Sequence, residues 1–134
     1  PQDILEANRQ ILDEFSGSIA SSAKVDASSI ITDQVVLEDG VELEATSIQG
    51  PAIIGRGTRL VNATIGPATA ISQDCTITNA SIEGSIVWEG TRISDIPNML
   101  RGSLIGKNVS ITGAGKPIPN TKLVLGDHSQ VDFS

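Results

Sequence analysis

Aliphatic side chains return about every sixth residue through most of this chain. The repeat is clearest at Ile65, Ile71 and Ile77, with small or polar residues between them. It continues on both sides, with slips of one or two residues, through Val41, Ile48, Ile54, Leu60, Ile82, Val87, Ile93, Ile105 and Ile111. Repeats this short are typical of a β-solenoid, in which each hexad is one short strand and one turn. The sequence therefore predicts an all-β parallel β-helix, a fold with no ligand pocket of its own by default.

The aromatic content agrees with a thin coil interior. The 134 residues include no Tyr, two Phe and one Trp. Three hexads make a coil of about 18 residues, so residues 18 apart should stack in neighbouring coils. The pairs expected to stack are Ile53 with Ile71, Val87 with Ile105, and Ile93 with Ile111. About five coils are predicted in all, over residues 18–113.

The two ends of the chain do not follow the hexads. Residues 3–15 have helical periodicity, with an apolar face formed by Ile4, Leu5, Ile11, Leu12 and Phe15. We expect this helix to lie on the open end of the solenoid and shield it. At the other end, a turn-rich connector leads to two short strands, residues 122–125 and 130–133, which should cap the last coil.

Charge and cysteine content exclude several classes of function. The net charge is −7 and the nine basic residues are scattered, so neither a nucleic-acid interface nor binding to an anionic membrane surface is expected. The single cysteine, Cys75, cannot form an internal disulfide, which favours a reducing cytoplasm. No apolar run approaches the ~18 residues of a membrane span.

Large side chains that fit poorly inside a narrow coil are the candidates for a contact surface. Trp88 and Met99 are the two such residues. Met99 and Leu100 belong to residues 95–102, where Pro97 interrupts the hexads and predicts a loop at a corner. Loops on solenoids often carry partner contacts, although a tolerated bulge explains the same residues. The predicted interface residues are Trp88, Met99 and Leu100.

Catalytic constellations are scarce. Hexapeptide-repeat acyltransferases use a histidine as general base, and the only histidine here, His128, lies outside the hexads. One histidine is also too few for a zinc site with three His ligands. We therefore predict no catalytic, cofactor-binding or metal-binding residue in this chain.

Three stretches together carry a resemblance to a known family. They are residues 1–9 at the helix, Gly84 to Ile93 within the hexads, and Leu123 to Ser129 near the end. With the hexads between them, the whole chain resembles the C-terminal part of a long-form glucose-1-phosphate thymidylyltransferase, one of the sugar-phosphate nucleotidyltransferases. Hexads of this Ile-Gly type also look like the left-handed parallel β-helix of hexapeptide-repeat proteins, so that handedness is expected.

The resemblance implies a division of labour. Residues 1–17 would be a linker helix from a catalytic domain outside this chain, residues 18–113 the β-helix, and residues 114–134 a capping tail. In that family the catalytic domain uses Mg²⁺ to join glucose 1-phosphate and dTTP into dTDP-glucose and pyrophosphate. Its Gly-x-Gly-Thr-Arg-Leu signature is matched only superficially at Gly55 to Leu60, because the Pro and Lys that should follow are missing.

Two readings of function follow. In the first, this chain is not itself an enzyme; it mediates self-association, as a dimer, trimer or tetramer, and positions its own catalytic domain. In the second, the solenoid is a hexapeptide-repeat acyltransferase acting on a sugar phosphate, as in bifunctional relatives. The position of His128 outside the repeats favours the first reading.

Overall fold

A computed structural model describes residues 2–14, 16–113 and 122–133. One helix, α1 (Gln2–Asp13), is followed by short strands that coil around a common axis. The strands are β1 (Ser18–Ile19), β2 (Lys24–Val25), β3 (Ile30–Ile31), β4 (Val35–Leu37), β5 (Glu42–Glu44), β6 (Ser47–Ile48), β7 (Ala52–Ile54), β8 (Arg59–Val61), β9 (Thr64–Ile65), β10 (Thr69–Ile71), β11 (Thr76–Thr78), β12 (Ser81–Glu83), β13 (Ile86–Val87), β14 (Arg92–Ser94), β15 (Met99–Arg101), β16 (Leu104–Ile105), β17 (Ser110–Thr112), β18 (Val124–Leu125) and β19 (Gln130–Asp132).

The strands form three parallel sheets, one on each side of the coil. Face A is β1-β4-β7-β10-β13-β16-β18, face B is β2-β5-β8-β11-β14-β17-β19, and face C is β3-β6-β9-β12-β15. Coils 1 to 5 each have a strand on all three faces, while coils 6 and 7 have described strands on faces A and B. The all-β parallel solenoid is therefore confirmed, with about six turns. The two predicted tail strands extend it, since β18 and β19 pair in parallel with β16 and β17.

Inward-pointing aliphatic residues form one column per face. On face A the column runs through Leu37, Ile54, Ile71, Val87 and Ile105, all at most 1% exposed. Isoleucine and valine suit this position because their branched side chains pack well on a pleated surface. Each buried aliphatic side chain contributes about 1.5–3 kcal/mol relative to an exposed one.

Register confirms two of the three predicted stacking pairs. Val87 pairs with Ile105 and Ile93 with Ile111, each 18 residues apart. The third pair is wrong, because Ile71 stacks on Ile54 rather than on Ile53. Coils 3 and 4 are one residue shorter than three full hexads, so the register shifts by one and turns Ile53 outward.

Residues 95–102 differ from the predicted loop. Only the segment between β14 and β15 is irregular, with Pro97 exposed at its corner. Met99 to Arg101 form β15 and pair in register with β12. The coil absorbs the interruption by becoming one residue longer, so that Leu100 stacks on Ile82.

Buried hydroxyl groups join consecutive coils at the corner before face B. The Thr58 hydroxyl donates to the carbonyl oxygen of Ser72 (2.8 Å) and accepts from the amide of Cys75 (3.1 Å). Thr91 repeats the pattern with Gly106 (2.8 Å) and Val109 (3.1 Å). Both threonines are 0% exposed. A buried polar group needs such partners, so this column is hydrogen-bonded as completely as the strands are.

Cys75 lies in the same column, between Thr58 and Thr91 on the neighbouring coils. Its thiol is fully buried and donates to the carbonyl oxygen of Trp88 at 3.2 Å. Burial, which disfavours the thiolate, raises the pKa of Cys75 to about 11. The residue is thus a structural member of the column, as its place within a hexad suggested.

Helix α1 lies along the side of the solenoid, and its predicted place over the open end is wrong. The Asn8 side chain donates to the carbonyl oxygen of Ala68 in coil 4 (3.4 Å), and Gln34 in coil 2 donates to the carbonyl oxygen of Asp13 (3.2 Å). The helix therefore runs opposite to the direction in which the coils advance. Its 12 residues span about 18 Å, close to four coil spacings of ~4.8 Å, which lets it pack along several coils at once.

Removing the hydroxyl of Thr91 should destabilise the fold. The substitution Thr91→Val leaves the Val109 amide and the Gly106 carbonyl without this partner, at a cost of about 1–3 kcal/mol. Denaturant unfolding measures the change in the free energy of unfolding. The matched control is Thr112→Val on the exposed side of face B, expected within about 0.5 kcal/mol of the parent chain. Equal losses for the two variants would contradict the role given to the buried hydroxyl.

The raised pKa of Cys75 predicts a loss of stability at alkaline pH. In the unfolded chain the thiol ionises near its model value of 9.0, whereas in the folded chain it stays protonated to about 11. The folded state therefore binds more protons between these values, and the free energy of unfolding falls as the pH rises through them. Unfolding measured at pH 8 and pH 10.5 should show a smaller loss for Cys75→Ala than for the parent chain. Equal losses would mean that the thiol does not titrate in this way.

Candidate interaction surface

Face A is apolar on its outer side as well as its inner side. Its outward ladder, paired in register from coil to coil, consists of Val36, Ile53, Ala70, Ile86, Leu104 and Val124. The corresponding ladder of face B is Lys24, Glu42, Arg59, Thr76, Arg92, Ser110 and Gln130. That of face C is Ile30, Ser47, Thr64, Ser81 and Met99. A sheet that is apolar on both sides is typical of one covered on both sides.

Trp88 stands at the edge of this apolar ladder. It follows Val87, so the alternation of the strand turns it outward, and it is half-buried. Beside it lies a groove of about 290 Å³, whose lining includes Ile53, Gly55, Ala70 and Ile86. Gly55 and Trp88 occupy the same register position two coils apart. The outer surface of face A thus has a bulky side chain at one end and a depression at the other.

Helix α1 extends the apolar surface. Leu5 and Leu12 face the solenoid and are 9% and 2% exposed. Ile4 and Ile11 lie on a flank of the helix and remain 51% and 57% exposed. The buried and exposed pairs belong to the single apolar face predicted from the sequence, which is wider than the strip the solenoid covers. An apolar strip of this kind on a surface helix is a common mark of a contact site.

The opposite flank of the helix borders a second, polar groove. This groove has a volume of about 460 Å³ and lies against the corner between faces C and A. Charged residues of both signs line it, namely Glu6, Arg9, Asp13, Glu83 and Arg101. Arg101 donates from Nε to Glu83 Oε1 at 2.7 Å, in an exposed ion pair that contributes little to stability. The near balance of charge gives the groove no strong preference for an anion or a cation.

The three predicted interface residues occupy different environments. Trp88 is at face A, whereas Met99 is half-buried on the outside of face C. Leu100 is 0% exposed and belongs to the core, so its inclusion in an exposed interface is wrong. Because adjacent strand residues point to opposite sides, Met99 and Leu100 could not both face a partner. The roles of Trp88 and Met99 as contacts stay predictions.

His128 has a backbone role. It is exposed, and its φ of 65° lies in the left-handed region. The same corner is occupied by Gly57 (φ 70°), Asp74 (φ 58°) and Gly90 (φ 72°) in earlier coils. Its amide donates to the carbonyl oxygen of Lys107 at 2.8 Å, which joins coil 7 to coil 6. Among the described residues, no group of three or more His, Cys, Asp or Glu could hold a metal ion.

The segment from Gly55 to Leu60 that resembles a nucleotide-binding signature is part of the repeat. Gly57 turns the corner after face A, and Arg59 begins strand β8. The Thr58 side chain is buried in the hydroxyl column, so it cannot contact a ligand. Over the part of the chain that is described, no helix is long and apolar enough to cross a membrane.

Comparison with known proteins gives relatives over nearly the whole chain. The glucose-1-phosphate thymidylyltransferase of Streptomyces griseus is 36% identical over 132 residues, and that of Streptomyces antibioticus is 35% identical over 131. Each match covers 98% of this chain but 36% of the relative. The bifunctional protein GlmU of Streptococcus agalactiae is 31% identical over 90 residues, which is 67% of this chain and 18% of that protein. No family model matches.

Solved structures that share the fold are acetyltransferases. The acetyltransferase domain of PglB from Neisseria gonorrhoeae has a TM-score of 0.61 at 20% identity, with 91% of this chain and 63% of that chain covered. The perosamine N-acetyltransferase of Caulobacter crescentus gives 0.59 at 21% identity, with 92% and 60% covered. At such identity the likeness concerns the fold alone.

Fold and sequence identity point to the same relatives. The chain spans about a third of the length of the thymidylyltransferases it matches. The solenoid and its leading helix make up all of the described structure. As its hexads and terminal segments predicted, the chain is homologous to the C-terminal part of glucose-1-phosphate thymidylyltransferases.

Proposed function

We propose that this chain is the non-catalytic solenoid domain of a sugar-1-phosphate nucleotidyltransferase, and that it holds copies together and positions the catalytic domain. Homology over 98% of the chain to thymidylyltransferases about three times as long carries the proposal. In the whole protein, the catalytic domain would join glucose 1-phosphate and dTTP to give dTDP-glucose and pyrophosphate. Mg²⁺ would be bound in that domain, and this part needs no cofactor.

The distribution of polar groups supports a role without chemistry. The thiol of Cys75 is buried and protonated, and His128 is a corner residue that stands alone. Thr58 and Thr91 use their hydroxyls to join coils. The side chains that could act as nucleophile or base are thus committed to the fold, whereas the apolar outer side of face A has no structural task within one chain. The cytoplasmic location expected from the single cysteine stays a prediction.

The course of the helix supports a positioning role. The lining of the polar groove brings Leu5 close to Gly84 and Arg101, so the first turn of α1 lies beside coil 5. A domain joined through this helix would begin near coil 5 rather than at the exposed first coil. It would then lie within reach of the outer side of face A and of Trp88. The helix would act as a fixed joint because Leu5, Asn8 and Leu12 anchor it along the solenoid.

A second candidate is acyl transfer to a sugar phosphate. It is favoured by the fold shared with two acetyltransferases, one of which was solved with CoA and GDP-perosamine. The position of His128 on an exposed corner gives no general base next to a groove. Incubating the purified chain with acetyl-CoA and an amino-sugar phosphate tests this candidate directly. Release of free CoA above the rate of a His128→Ala variant would replace the first proposal by the second.

Truncating Trp88 should weaken self-association. The change Trp88→Ala removes the largest side chain from the outer side of face A, and such buried aromatic anchors dominate interface energies. We expect the dissociation constant of the assembly to rise at least about tenfold, measured by light scattering over a dilution series. Met99→Ala is the matched comparison, since Met99 is half-buried on face C. Loss of association in the Met99 variant alone would move the interface to face C.

A further inference from the structure

A column of charged and polar residues borders face A and has an ordered sequence of signs. These residues stand two positions after the last inward residue of face A in coils 2 to 6, and they are Asp39, Arg56, Gln73, Glu89 and Lys107. Their signs read negative, positive, neutral, negative, positive. Read from the other end, every charge is replaced by its opposite. The column is therefore complementary to a copy of itself turned end for end about Gln73.

The side chains of this column are within reach of a partner. Lys107 Nζ and Glu89 Oε1 are 4.0 Å apart, and their side chains are 51% and 44% exposed. The Gln73 amide donates to Glu89 Oε2 at 3.3 Å. Asp39 and Arg56 are exposed. Neighbouring members thus contact one another along the edge of face A and still present their charges outward.

The apolar ladder of face A has the same centre. Turning it end for end about coil 4 places Ile53 opposite Ile86 and Ala70 opposite itself. The same rotation places Trp88 opposite Gly55, so the bulky side chain meets the depression beside the groove. Large residues then face small ones and aliphatic residues face aliphatic ones, as close packing requires.

Helix α1 adds a third series with this centre. Ile4 and Ile11 are symmetric about residues 7 and 8, and Asn8 contacts Ala68 in coil 4. An end-for-end rotation about coil 4 therefore brings Ile4 of one chain opposite Ile11 of the other. The two exposed isoleucines of each helix would then be covered at the same time as face A.

We infer that two copies of this chain associate through face A, antiparallel, about a two-fold axis at coil 4, an arrangement that rests on the assembly role proposed above and specifies it. In such an isologous contact each pair occurs twice. Arg56 meets Glu89, Asp39 meets Lys107, and Gln73 meets its own copy. A parallel arrangement about an axis along the solenoid would instead set Asp39 beside Asp39 and Glu89 beside Glu89, which like-charge repulsion disfavours.

Charge reversal at one pair tests the arrangement. Arg56→Glu places two acidic residues opposite each other twice per dimer, and Glu89→Arg places two basic residues there. Each single variant should raise the dissociation constant of the dimer about tenfold or more, measured by analytical ultracentrifugation. The double variant restores both pairs and should recover the parent affinity. An equal mixture of the two single variants should form heterodimers, because one chain then has only acidic and the other only basic residues at the pair.

The controls separate folding from association. Arg92→Glu reverses an exposed arginine on face B and should leave the mass unchanged. Circular dichroism and thermal unfolding of every variant identify any that fail to fold. A Gln73→Cys variant adds a direct reading, since a residue on the two-fold axis forms a disulfide with its own copy, and the buried Cys75 does not compete.

Each result decides between distinct statements. A dimer of twice the chain mass of 13.9 kDa that neither single variant weakens would overturn face A as the contact and leave the assembly role standing. A trimer would overturn the two-fold arrangement in the same way. A chain that remains a monomer at every concentration would overturn both the arrangement and the assembly role. Single variants that weaken the dimer without recovery in the double variant would overturn the pairing of Arg56 with Glu89.

Discussion

Stacking of one coil on the next is the constraint on which the rest of this structure depends. A single coil has no interior of its own, so its inward residues are buried only when a neighbouring coil covers them. Ile54, Ile71 and Val87 are almost completely buried because each has a coil on both sides. In coil 1, which has a neighbour on one side only, the corresponding Ile19 is 56% exposed. Stability therefore accumulates between neighbours, and the aliphatic residue at each sixth position is its main source.

Stacking also determines the chemistry of the corners. A chain that turns three times per coil needs backbone angles that most residues avoid, and glycine, asparagine and aspartate supply them at low cost. The corner between faces B and C shows how such residues are then reused. The Asn62 amide donates to Asn79 (2.8 Å), which donates to Asp95 (2.9 Å), so the side chains form their own ladder across three coils. Polar residues that resemble parts of an active site in the sequence are in this way engaged in holding the coils together.

Function is left to the surfaces that stacking does not use. Faces B and C end in polar or charged side chains suited to water, whereas face A presents a second apolar surface next to a helix with exposed isoleucines. The helix runs against the direction of the coils, which places its beginning beside coil 5 and joins the domain interface to the outer surface of face A. A solenoid with such a joint suits the C-terminal part of a longer transferase, because it can hold a neighbouring domain at a fixed position without taking part in the reaction.

The sequence by itself determined the type of fold, the inward residues of most strands and the family, because a six-residue aliphatic repeat is compatible with few other structures. It also determined that helix α1 has one apolar face and that Val87 stacks on Ile105. Only the tertiary structure decided that Ile54 rather than Ile53 stacks on Ile71, that Leu100 is in the core, and that the helix lies along the side. The physical reason is the same in each case. A corner tolerates one residue more or fewer, so register is set by contacts between coils that lie 16 to 20 residues apart in the chain, and the place of the helix is set by the surface left uncovered once those contacts have formed.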